Sequence, residues 1–289
     1  MRNILSIRDF TRSDIDEILT LSRSVKDDQQ GHSGILEGSS LAVAFFESSL
    51  RTRAGFSLSM QKLGGVVVDI TELRHHSLSS SPESFEDTFQ VLGDYFDAIA
   101  LRHPDPGLVK SIRVPSALIN CGNGRDEHPT QTLIDLFTMS EHFDRIDGLH
   151  IAVVGDLLNM RAAHSLVASL TLFKDIELTL ISPPTLRMAP AYYSSFPHAN
   201  LNELTKLELD GIDVVYMAGY PHKGGTKTID YMINRARALE LKAEAIVMDP
   251  LPRVDEIARE VDNMEPAKYF EQSKNGLPVR MAVLEWLLR

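Results

Sequence analysis

The feature that most restricts this chain is an alternation that occurs twice. Short apolar runs of strand length are each followed by a stretch with helical periodicity. The first series reads LAVAFF, a helix through Leu63, GGVVVDI, a helix from about Pro82 to Tyr95, DAIAL, and SALIN before Cys121. The second restarts at HIAVVGD and continues through a helix from Arg161 to Phe173, ELTLIS, DVVYM, a helix around Ile229 to Leu239, and AIVMD. Strands separated by helices connect through parallel crossovers, so the pattern predicts an α/β fold of two parallel-sheet domains, each sheet covered on both faces.

The expected domains are residues 1–143 and 148–272, with 275–289 as a C-terminal helix. That helix is apolar at Val279, Ala282, Val283, Trp286 and Leu287 and needs a surface to cover, for which the first domain is the candidate. HPTQTLIDLFTMSEHF reads as the last helix of the first domain, closed off by Gly148. At the N-terminus, Thr11 or Ser13 can cap a helix whose stripe is Ile15, Ile18, Leu19 and Val25, with Leu21 at its edge.

Composition then removes whole classes of function. Lys and Arg total 29 against 40 Asp and Glu, for a net charge of −11, which argues against a surface that wraps nucleic acid. The single cysteine, Cys121, excludes an intrachain disulfide framework and a thiolate zinc site, and points to a cytosolic compartment. The charged N-terminal stretch reads neither as a signal peptide nor as a membrane span. The scattered histidines show no metal-ligand spacing that stands out from chance.

Chemistry is concentrated in three short stretches. Phe45-Phe46-Glu47-Ser48-Ser49-Leu50-Arg51-Thr52-Arg53 runs from an apolar strand into hydroxyls and arginines and then into a helix. Free backbone N–H groups at a helix start favour an anion, and Ser49, Arg51 and Thr52 add donors. The plain alternative is that Ser49 is an N-cap and the arginines are solvated. Arg102-His103-Pro104 follows a strand, and His128-Pro129-Thr130-Gln131 opens a helix. In parallel sheets the carboxyl ends of the strands, where all three stretches would lie, are where ligands bind.

Through these residues the chain resembles the aspartate and ornithine carbamoyltransferase family. The family's Ser-Thr-Arg-Thr-Arg is matched by Ser49 to Arg53, its Arg-His-Pro by Arg102 to Pro104, and its His-Pro-Thr-Gln-x-Leu-x-Asp by His128 to Asp135. The aspartate branch is favoured by Val154-Gly155-Asp156-Leu157 with Arg161 and His164, and by Pro250-Leu251-Pro252-Arg253-Val254-Asp255-Glu256. The resemblance implies a carbamoyl phosphate site in the first domain. Ser49, Leu50 (through its N–H), Arg51 and Thr52 hold the phosphate, while Arg102, His128 and Gln131 contact the carbamoyl group. Thr52, Arg102 and His128 carry catalysis by stabilising the carbamoyl oxygen as an amine attacks. Pro250 and Leu251 offer backbone carbonyls, and Arg161 pairs with an acceptor carboxylate. No metal or organic cofactor is implied. The expected partners are carbamoyl phosphate, an amine acceptor, two further copies of the chain in a homotrimer, and a regulatory or dihydroorotase-like chain.

The same resemblance marks departures. Leu50 stands where the family has threonine, placing an apolar side chain next to an anion site. In the loop that relatives extend into the neighbouring subunit, Ser77 matches the family's serine, but Ser81 occupies the lysine position and Pro82 that of glycine. Gly219 and Pro221 stand where an arginine and a glutamine grip aspartate. Each missing charged contact is worth about 2–4 kcal/mol where it serves a developing charge or a desolvated carboxylate. The sequence therefore predicts a carbamoyltransferase with a weakened aspartate site, open to two acceptor readings: a different amine acceptor, or aspartate itself with the missing cations supplied from other positions. The competing expectation is a catalytically impaired paralogue that keeps the trimeric fold as an assembly subunit.

Overall fold

A computed structural model describes residues 2–70, 84–219 and 230–289. Its chain divides into two compact units: residues 1–133 with 276–289, and residues 134–275. Each unit contains one wholly parallel sheet.

In the first unit, β1 (Ser40–Phe45), β2 (Val66–Ile70), β3 (Ala98–His103) and β4 (Ala117–Asn123) lie in the order β2-β1-β3-β4. The register pairs Leu41 with Ala98 and Phe45 with Arg102, so β1 and β3 end level with one another. The helices α1 (Arg12–Asp27), α2 (Leu50–Lys62), α3 (Phe85–Tyr95) and α4 (Pro106–Ser111) belong to this unit, and α5 (Pro129–Phe143) begins in it. Beneath one face of the sheet, Ala42, Ala44, Ile99 and Leu101 pack with Phe46, Phe85 and Phe89.

The second unit orders its strands β7-β6-β5-β8-β9, from β5 (His150–Val154), β6 (Glu177–Ile181), β7 (Leu201–Leu204), β8 (Val214–Met217) and β9 (Ile246–Met248). Its helices include α6 (Arg161–Leu170) and α7 (Arg235–Glu240). The central strands β5 and β8 are buried almost throughout, as near-continuous apolar runs require in a sheet covered on both faces.

Local chemistry explains where elements begin and end. Thr11, not Ser13, caps α1: its hydroxyl accepts the Asp14 N–H while the Asp14 carboxylate accepts the Thr11 N–H, a reciprocal capping box. Helix α5 ends at Phe143 because Asp144 turns left-handed (φ 56°), so Gly148 closes the following turn and not the helix. The helix expected near Ile229–Leu239 starts only at Arg235, since Asn234 caps it by accepting the Arg237 N–H and Ile233 is committed to a bridge with Ile257. The last helix, α8 (Tyr269–Leu288), is a full turn or more longer than the apolar stripe indicates. The helix passes through both Gly276 and Pro278, residues with the lowest helix propensity. Its segment from Gly276 onward belongs to the first unit. There Val279, Ala282 and Val283 are fully buried, and Trp286 stacks on Phe10 at 5.9 Å.

Candidate active site

The first unit assembles its polar residues at the carboxyl ends of β1 and β3. Ser49 occupies the N-cap position of α2, but its hydroxyl does not cap the helix. Instead it accepts a hydrogen bond from Arg102 Nη1 at 3.1 Å, and Arg102 Nε donates to Glu47 Oε2 at 3.3 Å. The plain reading of Ser49 as an ordinary cap therefore fails. Arg102 is mostly buried, and the half-buried Glu47 carboxylate fixes its fork at the head of the helix.

Along the first turn of α2, Arg51 is exposed and Thr52 is buried. Leu50 is 81% exposed, so its side chain lies in solvent and its contribution to an anion is its backbone N–H. Arg53 leaves the cradle altogether: its Nε donates to both carboxylate oxygens of Asp69 on β2, at 2.9 and 2.7 Å. A second buried cation supports this helix from below. Arg280 of α8 lies against Gly55, where an added Cβ would come within 2.7 Å of its Nη1 and force the guanidinium to shift. Burial pulls this guanidinium down to about 10, with Arg51 adding repulsion and Cys121 opposing it. The buried Cys121 thiol is itself pushed up to about 12 by desolvation, which makes it inert.

His128 follows β4, the neighbour of β3, and precedes α5. Its carbonyl accepts the Gln131 and Thr132 N–H groups, and its Nδ1 lies 3.3 Å from Thr130 Oγ1. The buried ring thus stands at the same sheet edge as Ser49 and Arg102, with half-buried Gln131 one turn on. His103, the middle residue of the Arg-His-Pro stretch, does not join them. It is wedged edge-on between Phe46 and Phe85, and burial lowers its pKa.

The second unit presents a different edge. Arg161 is the first residue of α6, half-buried, after Met160 at the N-cap position. Beyond β9, Leu251 takes a left-handed backbone (φ 55°), and its N–H donates to Asp249 Oδ1 at 2.6 Å. Asp249 N–H in turn donates to Gln272 Oε1, and Gln272 Nε2 donates to Asp135 Oδ1 at 2.7 Å. The Tyr216 hydroxyl supplies a further donor to Asp135. This buried relay holds the Pro250-Leu251 backbone in place. Burial first, and the Asp135 charge second, raise the Tyr216 pKa well above the usual phenol range. Gly219 sits just past β8 at φ 75°. Ser77, Ser81 and Pro221 lie outside the described residues.

Several of these participants escaped the sequence reading. Glu47 directly precedes the hydroxyl-arginine stretch, and an acid beside Arg51 and Arg53 was the available signal. Nothing local marks Gln272 or Tyr216, which meet Asp135 only through the fold. Among the described residues, no group of three or more His, Cys, Asp or Glu side chains is arranged to hold a metal. No described helix is long and apolar enough to cross a membrane.

Fold and site together define an α/β protein of two parallel-sheet units, with an anion cradle built on one and a rigid loop edge on the other. Comparison with known proteins narrows that class. The family profile for the aspartate/ornithine carbamoyltransferase carbamoyl-P binding domain matches residues 2–141, and that for the Asp/Orn binding domain matches residues 147–287. The aspartate carbamoyltransferase catalytic subunit of Methanococcus vannielii is 41% identical over 99% of this chain and 98% of its own. The catalytic subunit of Methanocaldococcus jannaschii aspartate transcarbamoylase superposes with a TM-score of 0.89 at 37% identity, covering 100% of this chain and 98% of its own. The Trypanosoma cruzi aspartate transcarbamoylase, solved with carbamoyl phosphate and aspartate, gives a TM-score of 0.92 at 30% identity, covering 100% and 96%. The chain belongs to the aspartate/ornithine carbamoyltransferase family.

Proposed function

We propose that this protein transfers the carbamoyl group of carbamoyl phosphate to the amino group of an acceptor. The new C–N bond forms as the C–O bond to phosphate breaks, and the amine proton leaves with the phosphate. The observation that carries this reading is the Arg102 guanidinium bonded to Ser49 at the head of α2. That contact turns a helix start into a cationic cradle for a dianion. Ser49, Arg51, Thr52 and the Leu50 N–H hold the phosphate. Thr52, Arg102 and His128 act on the carbamoyl oxygen, where negative charge grows during attack and preorganised donors stabilise the transition state above the ground state. Gln131 orients the carbamoyl nitrogen, the Pro250 and Leu251 carbonyls receive N–H groups, and Arg161 pairs with the acceptor's carboxylate.

The assignment of residues 1–143 to carbamoyl phosphate and 148–272 to the acceptor belongs to the same proposal, as does a homotrimer. The edge strand β2 exposes Val66 and Val68, and α2 exposes Leu58 beside it, an apolar margin that a second copy would cover. A regulatory or dihydroorotase-like chain is a further partner suggested by the family. The lone buried thiol suits a cytosolic setting.

Calorimetric titration with carbamoyl phosphate tests the central reading. Binding is expected in the intact protein and lost in Arg51→Ala and Arg102→Ala; unchanged binding in both variants would overturn it. Light scattering tests the trimer, and a monomer at micromolar concentration would exclude it.

A further inference from the structure

Behind the anion cradle of the first unit lies a buried cation without a counter-charge. Arg280 is 6% exposed, and its Nη1 donates to the Gly276 carbonyl, one turn back along α8, at 2.8 Å. Its buried Nε has no hydrogen-bond partner, and among the described residues no carboxylate pairs with its guanidinium. Other shielded arginines are matched: Glu47 holds Arg102, and Asp262 accepts from Arg253 Nη2 at 2.7 Å. Cys121 cannot fill that role near neutral pH, because its thiol stays protonated up to about 12. The Phe56 ring, centred 5.8 Å from the guanidinium carbon, offsets only part of the cost of burying a charge alone.

The place where Arg280 meets α2 gives that charge a direction. A Cβ at Gly55 would lie 2.7 Å from Arg280 Nη1 and 2.9 Å from its Cζ, so the bare backbone of glycine is what lets the guanidinium come so near. Residues 51, 52 and 55 are spaced by three and four, hence they share one face of the helix, and Arg280 sits against that face one turn below Arg51 and Thr52. Burial above all pulls its pKa down to about 10, and the Arg51 charge adds repulsion. Two cations along one helix start, one of them desolvated, destabilise the ligand-free protein; a dianion at the first turn of α2 attracts both.

We propose that Arg280 is a positioning residue of the donor site: its unpaired charge, held against α2 at Gly55, is answered by the phosphate of the donor, so it raises affinity for that dianion while lowering the stability of the ligand-free protein. This inference rests on the carbamoyl-transfer reading above and adds to it a residue behind the cradle. Since the charge acts through the helix, lysine can replace arginine and a neutral side chain of similar length cannot.

The test uses the full-length protein with Arg280→Met, Arg280→Gln and Arg280→Lys. Urea unfolding is followed without ligand and with inorganic phosphate, and the affinities for inorganic phosphate and carbamoyl phosphate are measured by calorimetry. Both neutral variants are expected to unfold at a higher urea midpoint than the intact protein when no ligand is present, and to bind phosphate about 10-fold more weakly. Arg280→Lys should bind within about threefold of the intact protein. A purely structural arginine would give the opposite pattern, a lower midpoint with unchanged affinity. Neutral variants that are less stable than the intact protein or do not fold, neutral variants with unaltered phosphate affinity, or an Arg280→Lys as weak as Arg280→Met would each overturn the inference. If the intact protein binds carbamoyl phosphate, loses it in Arg51→Ala and keeps it in the neutral Arg280 variants, the inference falls and the transfer reading stands. Absence of binding in the intact protein removes both.

Discussion

The two sheet edges of this molecule were built from opposite materials. The edge of the first unit gathers arginines: Arg102 is clamped by Glu47 and Ser49, Arg51 stands on the first turn of α2, and Arg280 is buried beneath. The edge of the second unit gathers acids, with Asp135, Asp156, Asp249 and Glu256 all buried, and Arg161 at the start of α6. A helix start and an arginine fork suit one compact dianion, and that edge keeps its chemistry in side chains. The other edge fixes backbone, through left-handed Leu251 and Gly219, and uses its acids to hold that backbone. Divergence in acceptor is therefore easier than divergence in donor, because replacing an acceptor contact leaves the buried scaffold standing.

The sharpest way to break this contrast is at Arg102. Arg102→Ala removes the guanidinium bonded to Ser49 and Glu47, and under the proposed function kcat/KM should fall by about 10³-fold or more while circular dichroism stays unchanged. Loss of fold in that variant would show that the cradle is structural.

In the second unit the corresponding change acts on stability. Asp135→Ala leaves the Tyr216 hydroxyl and the Gln272 amide buried without their acceptor. A destabilisation of about 2–4 kcal/mol is expected in urea unfolding. Gln272→Ala should cost less and should loosen the Leu251 turn, detectable as faster amide exchange at Leu251.

A smaller effect separates the two uses of a helix-start hydroxyl. Thr11→Ala removes a true cap and should cost about 1 kcal/mol of stability with no effect on carbamoyl phosphate binding. Ser49→Ala should do the reverse, weakening that binding by about 10-fold with little change in stability, since Ser49 does not cap α2.

The smallest effect is a pH dependence at His103. Its folded pKa lies below the ordinary histidine value because it is desolvated among aromatic rings. The folded state therefore binds fewer protons than the unfolded state as pH falls below the unfolded value near 6.5. The stability contributed by the neutral ring is present above that value and is lost as pH falls through the folded pKa. Unfolding midpoints measured from pH 7.5 to pH 5 should decline less steeply in His103→Phe than in the intact protein.

Much of this was readable without coordinates. The helix–strand alternation predicted both sheets, and the order Ser49, Arg102, His128 at successive strand ends placed them at one edge before any contact was known. The N-terminal helix was legible because a capping box and an apolar stripe are local. The last helix begins well before its apolar stripe, and burial of Val279, Ala282 and Val283 in the first unit offsets the low helix propensity of Gly276 and Pro278. Ser49 was ambiguous for a related reason: the same serine caps or binds depending on where a guanidinium 53 positions away comes to rest.

Sequence by itself determined the elements and the identity of the charges, since periodicity, caps and residue types act over a few positions. Tertiary structure alone decided which charges meet. Arg102 found Glu47 and Ser49, Gln272 joined Asp135 to the Leu251 turn, and Glu256 came to face Gly219, because side-chain pairing across a sheet edge depends on register and crossover geometry that no local pattern encodes.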